Sequence, residues 1–298
     1  MRDSVVSGSF YEQNWDALKR QIGSCFRHKL GAGLKSLKVR NKKEKIFSVI
    51  VPHAGYAFSG YCASHAFAEL IKLDKEKDTT FIILGVDHTG KTNADFSVSL
   101  EDFRTPLGIV INHADFSNQL LDKEKLLKND EQAHENEHSI EVQLPFLQYS
   151  LKRFRIVPII CSTQDYQKLI EFSESLSETI KNQEKENPNL QFVIIASSDL
   201  THYGPNYGFL PFPLNDKTPK KIYDLDKDII DSIIKLDPQD FFNKANKSTV
   251  CGISTVTVAI ETSRLLGAKS GKLLKYYTSG DILLDYGNSV GYASLVIS

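Results

Sequence analysis

Four features that would define a protein class are scarce in this sequence: cysteine, long apolar runs, net charge and flexible linkers. The 298 residues include 4 cysteines without CxxC spacing, too few for a disulfide framework, so we interpret them as reduced thiols. No apolar run approaches the roughly 18 residues of a membrane-spanning helix. The polar start, MRDSVVSGSFYEQNW, lacks the apolar core of a signal peptide. We therefore predict a soluble, cytoplasmic protein.

An excess of one charge is also missing. Lys and Arg together number 36 and Asp and Glu 37, which leaves a net charge of −1 and no global field that would attract nucleic acid or an anionic membrane. The basic stretch KVRNKKEK (38–45) is interpreted as a solvated loop. We expect a small molecule or a peptide as partner, and the sequence leaves the oligomeric state open.

Short apolar runs are what the sequence does contain, and they predict buried strands. They are IFSVIV (46–51), FIILG (81–85), FRIVPIIC (154–161), FVIIAS (192–197), KLLKYYTS (272–279) and SVGYASLVI (289–297). Between them, apolar residues at helical spacing predict amphipathic helices. These stripes are Leu18/Ile22/Phe26, Leu169/Phe172/Leu176/Ile180 and the segment 256–267.

The order of these elements predicts the fold class. Strands that alternate with helices are typical of an α/β protein with a mainly parallel central sheet. The segment FLPFPLNDKTPKK (209–221) has three prolines and predicts an irregular surface excursion. No repeat or linker divides the chain, so we predict one domain over residues 1–298.

Reactive side chains follow three of the predicted strands. His53 follows the first run, His88 follows the second, and Asp199 and His202 follow FVIIAS. Each alone would be an ordinary capping or turn residue. Because ligands of open α/β sheets bind beyond the carboxyl ends of the strands, their joint occurrence predicts one shared site.

Cys251 is a further candidate because it lies just ahead of a predicted helix. There the helix dipole and free N–H groups would lower the pKa of the thiol; the alternative is a small buried core residue. Two imidazoles and a thiolate would form a three-ligand site for a soft or borderline metal. Cys25 and Cys161 are better explained as packing.

The stretch HENEH (134–138) matches the H-E-x-x-H signature literally. In that signature two histidines on one helix, His134 and His138, would hold zinc and Glu135 would act as the base. The surrounding residues are polar and loop-like, which disfavours a zinc peptidase. His138 and Glu141 could still enter a pocket.

These residues lie within stretches that match a known family. The stretches are GSFY (8–11), VPHAGYAFSG (51–60), LGVDH (84–88), RTPLG (104–108), EHSIEVQLPFL (137–147), SSDLTHYG (197–204), CG (251–252) and SVGYAS (289–294). In this order they span the chain, which resembles the Memo family. The resemblance implies one domain with a fold like that of the class III extradiol dioxygenases (LigB-like), with helices on both faces of the sheet.

The resemblance also implies a site. The metal-binding positions of the family fall on His53, His88 and Cys251, with Asp199 and His202 beside the metal, where they would be the catalytic residues. The last two residues of HENEH, Glu137 and His138, belong to the E-H-S-I-E motif of the family, whereas His134 lies outside it. In the related dioxygenases the third ligand is a carboxylate, so ring cleavage does not carry over to a site with a thiolate.

Two hypotheses follow, and whether the protein is an enzyme stays open between them. In the first, the site binds iron or copper, with zinc as a further option, and supports redox or oxygen chemistry in which His202 acts as acid/base or positions oxygen. Asp199 would orient it or a bound water. In the second, a non-enzymatic protein binds a peptide or sequesters metal, with Tyr56, Phe58 and Tyr203 either as pocket walls or as ordinary packing.

Overall fold

The structure is a computed structural model that describes residues 1–33 and 45–298. Positions 38–44 of the basic stretch lie outside the described residues. The described helices are α1 Trp15–Arg27, α2 Gly60–Leu70, α3 Ala114–Lys123, α4 Glu131–Glu135, α5 Leu144–Ser150, α6 Tyr166–Glu186, α7 Thr218–Ile234, α8 Pro238–Ala245, α9 Ile253–Leu265 and α10 Ser279–Leu283.

The strands form one large sheet and one small hairpin. They are β1 Ser48–Val51, β2 Asp78–Val86, β3 Phe96–Val98, β4 Phe103–Thr105, β5 Gly108–Val110, β6 Leu127–Asn129, β7 Arg155–Cys161, β8 Leu190–Ser197, β9 His202–Tyr203, β10 Gly271–Thr278 and β11 Ser289–Ile297. In the part of the chain that the structure describes, the large sheet has nine strands in the order β10-β11-β1-β8-β2-β7-β3-β6, with β9 paired to β11. Strands β4 and β5 form the hairpin.

Parallel pairing is confined to part of this sheet. The central strands β1, β8, β2 and β7 pair in parallel, and β3 pairs in parallel with β6. The pairs β1–β11, β10–β11, β9–β11 and β3–β7 are antiparallel. The sheet as a whole is therefore mixed, and the expected parallel strands form its centre.

Alternate residues of the central strands point to opposite faces, each with its own apolar core. Val49 and Val51 of β1 pack in one cluster with side chains of α1, α2 and α5. Ile50 packs in the other cluster with side chains of α3, α6, α7, α8 and α9. This period of two is the geometry of an extended strand buried on both sides. Helices cover both faces of the sheet, as expected.

Local signals explain where individual helices begin. The side chain of Asn14 accepts hydrogen bonds from the backbone of Asp16 and Ala17 at the start of α1, and Asp165 caps α6 in the same way. Helix α7 begins at Thr218 with a proline in its first turn. The prediction of irregular structure over 209–221 is therefore wrong for the residues from 218 onward.

The long strands and the three predicted helical stripes are all present. Among the described residues, no helix is both long and apolar enough to cross a membrane.

Candidate metal centre

The site lies where three neighbouring parallel strands end. His53 follows β1 by two residues, His88 follows β2 by two, and Asp199 follows β8 by two. Because β8 pairs with both β1 and β2, these three chain segments emerge side by side. Cys251 reaches the same point from the loop before α9. We call this group the strand-end site.

His53, His88 and Cys251 are close enough to share one ion. Their ligand atoms all lie within 4.8 Å of one another, and Cys251 Sγ is 3.2 Å from His53 Nε2. Nitrogen and sulfur ligands of a tetrahedral ion are spaced about 3.5 Å apart, given bonds of about 2.0 to 2.3 Å. His53 is buried, with an exposed fraction of 3%, whereas the side chain of His88 is 32% exposed.

The ring of His53 is oriented by Ser197. The hydroxyl of Ser197 donates to the carbonyl of Ser139 at 2.7 Å and lies 2.9 Å from His53 Nδ1. Since the single hydroxyl proton is used in the first bond, the oxygen must accept from His53 Nδ1–H. The Nε2 lone pair of His53 therefore faces Cys251, where a metal would be held.

The ring of His88 is oriented by Glu137, whose Oε1 lies 3.0 Å from His88 Nδ1. A carboxylate can only accept, so Nδ1 carries the proton and Nε2 is the nitrogen left for a ligand. Both histidines thus offer Nε2 to a metal, and in each ring Nδ1 makes a hydrogen bond to the protein.

Burial and charge move the pKa values of these groups in opposite directions. Burial, followed by the neighbouring imidazoles of His88 and His138, holds the pKa of His53 well below its ordinary value. Partial burial opposes protonation of His88, but the hydrogen bond and charge of Glu137 outweigh it and raise its pKa. Burial opposes ionisation of Glu137, yet His88 and the Ser139 amide lower its pKa to about 2. His53 is therefore neutral and Glu137 ionised at pH 7.

The expectation of a lowered thiol pKa at Cys251 is wrong for the metal-free protein. Helix α9 does begin two residues later, at Ile253, and the backbone N–H of Asp199 donates to Cys251 Sγ at 3.2 Å. Desolvation, and then the nearby carboxylate of Asp199, nevertheless raise the pKa of the thiol. A bound cation would reverse this effect, because metals coordinate the thiolate.

A prediction concerns the reactivity of this thiol. We expect iodoacetamide to modify Cys251 first in the native metal-free protein, because Cys25, Cys62 and Cys161 are buried at 2%, 0% and 4% exposure. The rate should still be rising at pH 9, since only the thiolate reacts and the raised pKa postpones its formation. Peptide mapping after timed alkylation measures this, with the unfolded chain as reference. A rate that levels off below pH 8 would contradict it.

Asp199 and His202 lie beside the ligand set but do not bond to each other. Asp199 is buried and its Oδ1 accepts from the backbone N–H of His53 at 2.9 Å. His202 Nδ1 contacts the carbonyls of Leu200 and Thr249 at 2.9 and 3.0 Å. Backbone carbonyls, rather than Asp199, therefore orient His202 and leave its Nε2 as the free nitrogen.

Three predicted pocket residues, Tyr56, Tyr203 and Glu141, make their contacts away from the site. Tyr56 is buried against Tyr11 and Phe146, and its hydroxyl donates to the carbonyl of Val142 at 2.6 Å. Tyr203 is fully buried and stacks on Phe212. These two rings are core residues, so of the two alternatives ordinary packing holds for Tyr56 and Tyr203; Phe58 is exposed, at 36%.

Glu141 is the third of these residues. Its carboxylate pairs with Arg2, and it accepts from Tyr11 Oη at 2.6 Å and from the backbone N–H groups of Val5 and Val6. It anchors the N-terminal segment rather than lining the site.

Other side chains surround the ligand set instead. His138 lies next to it: its ring stacks on His88 at 4.6 Å between centroids. Phe10 stands edge-on to His138 at 4.8 Å, and Tyr207 stands edge-on to His202 at 5.1 Å.

The sequence argument missed Glu137, Ser197, Phe10 and Tyr207. A sequence signal exists for Ser197, since it is the last residue of the run FVIIAS, at the predicted strand end. No sequence signal joins Glu137 to His88, and none places Phe10 or Tyr207.

The structure does not form the helix that a zinc peptidase would need. Helix α4 ends at Glu135, so His134 and His138 do not share a helical face. His134 is buried, its Nε2 donates to the carbonyl of Ser97 at 3.0 Å, and desolvation lowers its pKa to about 4. The zincin match is accidental.

Two imidazoles and a thiol at the carboxyl edge of parallel strands define the class: a mixed α/β protein with a candidate metal centre. A family model described as Memo-like protein matches residues 2–296. The chain belongs to the Memo family.

Three relatives align with this chain over nearly their whole lengths. A MEMO1 family protein of Methanocaldococcus jannaschii is 38% identical, with 100% of this chain and 99% of the relative aligned. One from Methanopyrus kandleri is 36% identical over 99% and 98%. One from Methanosarcina mazei is 34% identical over 100% and 99%.

Proposed function

We propose that the strand-end site binds a transition metal through His53 Nε2, His88 Nε2 and Cys251 Sγ. The observation that carries this proposal is the 3.2 Å separation of His53 Nε2 and Cys251 Sγ, with the other nitrogen of His53 bonded to Ser197. Ligand histidines typically donate their second N–H to the protein in this way. The parallel centre of the sheet supports a fold like that of the class III extradiol dioxygenases.

Iron or copper is the proposed metal, with zinc as the alternative. Imidazole suits iron, copper and zinc, whereas a thiolate selects against magnesium and calcium, which prefer oxygen ligands. A three-ligand set leaves a position for water or a substrate. The donor set therefore fits a metal that takes part in chemistry.

We propose redox or oxygen chemistry at this centre, in which the metal would supply the electron transfer. His202 holds or accepts a proton at Nε2, because its Nδ1 is held by two backbone carbonyls. Asp199 holds the chain at His53 through the backbone amide and so keeps that ligand in place.

Oxygen uptake tests the redox proposal. The protein is reconstituted anaerobically with ferrous iron or with cuprous copper and then exposed to oxygen with catechols and small reductants. We expect uptake in the wild type and a loss of about 10²- to 10⁴-fold in His202→Ala, the usual contribution of an acid/base group. The matched control is His65→Ala, since His65 lies on α2 and bonds to the carbonyl of Leu30.

Metal binding without uptake would contradict a catalytic role. It would favour the second function, metal sequestration or peptide binding. The exposed ring of Tyr207, 42% exposed beside His202, would then be the surface that a peptide side chain contacts.

A further inference from the structure

Glu137 carries a buried carboxylate directly behind His88. Its exposed fraction is 2%, and both of its oxygens contact the same histidine. Oε1 lies 3.0 Å from His88 Nδ1, and Oε2 accepts from the backbone N–H of His88 at 2.8 Å. The carboxylate therefore fixes both the position of the main chain and the rotation of the ring.

The remaining contacts of Glu137 decide whether it is a ligand or a support. Oε1 also accepts from the backbone N–H groups of His138 at 2.9 Å and Ser139 at 2.8 Å. Glu137, His88 and His138 are close enough to hold an ion, but Oε1 already accepts from three donors and Oε2 from one. A metal bound at Oε1 would have to displace several hydrogen bonds of a buried charge, which is costly.

The same short segment also supports the other imidazole. The carbonyl of Ser139 accepts from the hydroxyl of Ser197 at 2.7 Å, and that hydroxyl accepts from His53 Nδ1. Residues 137–139 thus set the orientation of both histidines, one through a carboxylate and one through a relayed hydroxyl.

We propose that Glu137 is the positioning residue of the centre: it fixes His88 with the proton on Nδ1 and presents Nε2 to His53 and Cys251. This inference rests on the proposed metal site. A carboxylate behind a ligand histidine orients the ring and raises its basicity, and its loss weakens metal binding about 10- to 100-fold.

Glu137→Gln separates this role from mere packing. Both carboxylate oxygens face donors, so the glutamine amide must turn its NH₂ group toward one of them whichever way it rotates. The matched control is Glu141→Gln, because Glu141 is an equally buried carboxylate that bonds to Arg2 and Tyr11 but to no histidine.

The experiment has one readout without metal and one with it. Nitrogen-15 NMR of the metal-free protein at alkaline pH reports which nitrogen of His88 carries the proton. We expect Nδ1 in the wild type and in Glu141→Gln, and a mixture in Glu137→Gln. Titration with Co²⁺, followed by its thiolate absorption, should show binding about 10- to 100-fold weaker in Glu137→Gln only.

The outcomes distinguish the inference from the proposed function. A wild-type tautomer and wild-type Co²⁺ affinity in Glu137→Gln would overturn the inference and leave the metal site standing. Absence of Co²⁺ binding in the wild type would overturn the metal site, whereas the NMR result would still decide whether Glu137 fixes the ring. If Glu137→Gln fails to fold, Glu137→Asp, which withdraws the carboxylate by one methylene, replaces it with the same expected direction.

Discussion

Joint substitution of His53→Ala and Cys251→Ala is expected to weaken iron and copper binding by roughly 10³-fold or more, because only one of three ligands would remain. The double substitution removes His53 Nε2 and Cys251 Sγ, the two ligand atoms that lie 3.2 Å apart. His88 alone cannot hold an ion in competition with water. Metal content per chain after purification without chelators measures the effect, together with anaerobic titration.

The control for this variant changes the same residue types away from the site. Cys161→Ala with His65→Ala removes a core thiol of β7 and a histidine that bonds to the carbonyl of Leu30. It should lose some stability and keep its metal. Equal iron or copper in the wild type and in the His53/Cys251 variant would refute the proposed ligand set.

Arg2→Ala should lower the free energy of unfolding by about 3 to 5 kcal/mol, the usual cost of breaking a buried ion pair. The Glu141 side chain is fully buried, so removing the guanidinium leaves a carboxylate without its cation. Arg2 also donates to the carbonyls of His134 at 3.1 Å and Glu137 at 2.6 Å. Urea denaturation of the metal-free protein measures the loss.

A double variant tests the cause of that loss. In Arg2→Met with Glu141→Gln no unpaired charge remains, so the combined destabilisation should be smaller than the sum of the single changes. Additive losses would show that the pair is not coupled.

The residues named by the strand-end argument lie close together for a general reason. Carboxyl ends of parallel strands meet at one edge, so residues two positions beyond β1, β2 and β8 had to come together once those strands paired. The sequence predicted only that His53, His88 and Asp199 lie at the same edge; they are neighbours because β8 pairs with both β1 and β2. Cys251 is different, since its predicted position before a helix was correct while the predicted direction of its pKa shift was not.

Side-chain direction explains the failures. Tyr56 lies three residues after His53 and Tyr203 directly follows His202, yet both rings turn into the core. Phe10 contacts His138 from a distant segment, whereas Tyr207, five residues after His202, turns toward that ring. HENEH could bind zinc only if one helix carried both of its histidines, but helix α4 ends at Glu135.

The sequence by itself determined the family, the buried central strands, the main helices and the residues that gather at the strand ends, because apolar periodicity and motif order are local properties. Tertiary structure alone decided the antiparallel outer pairings, the nitrogen that each histidine presents and the pairing of Glu137 with His88. Those features depend on partners far apart in the chain, 49 positions for Glu137 and His88 and 198 for Cys251 and His53. Only folding brings such donors and acceptors within hydrogen-bond distance.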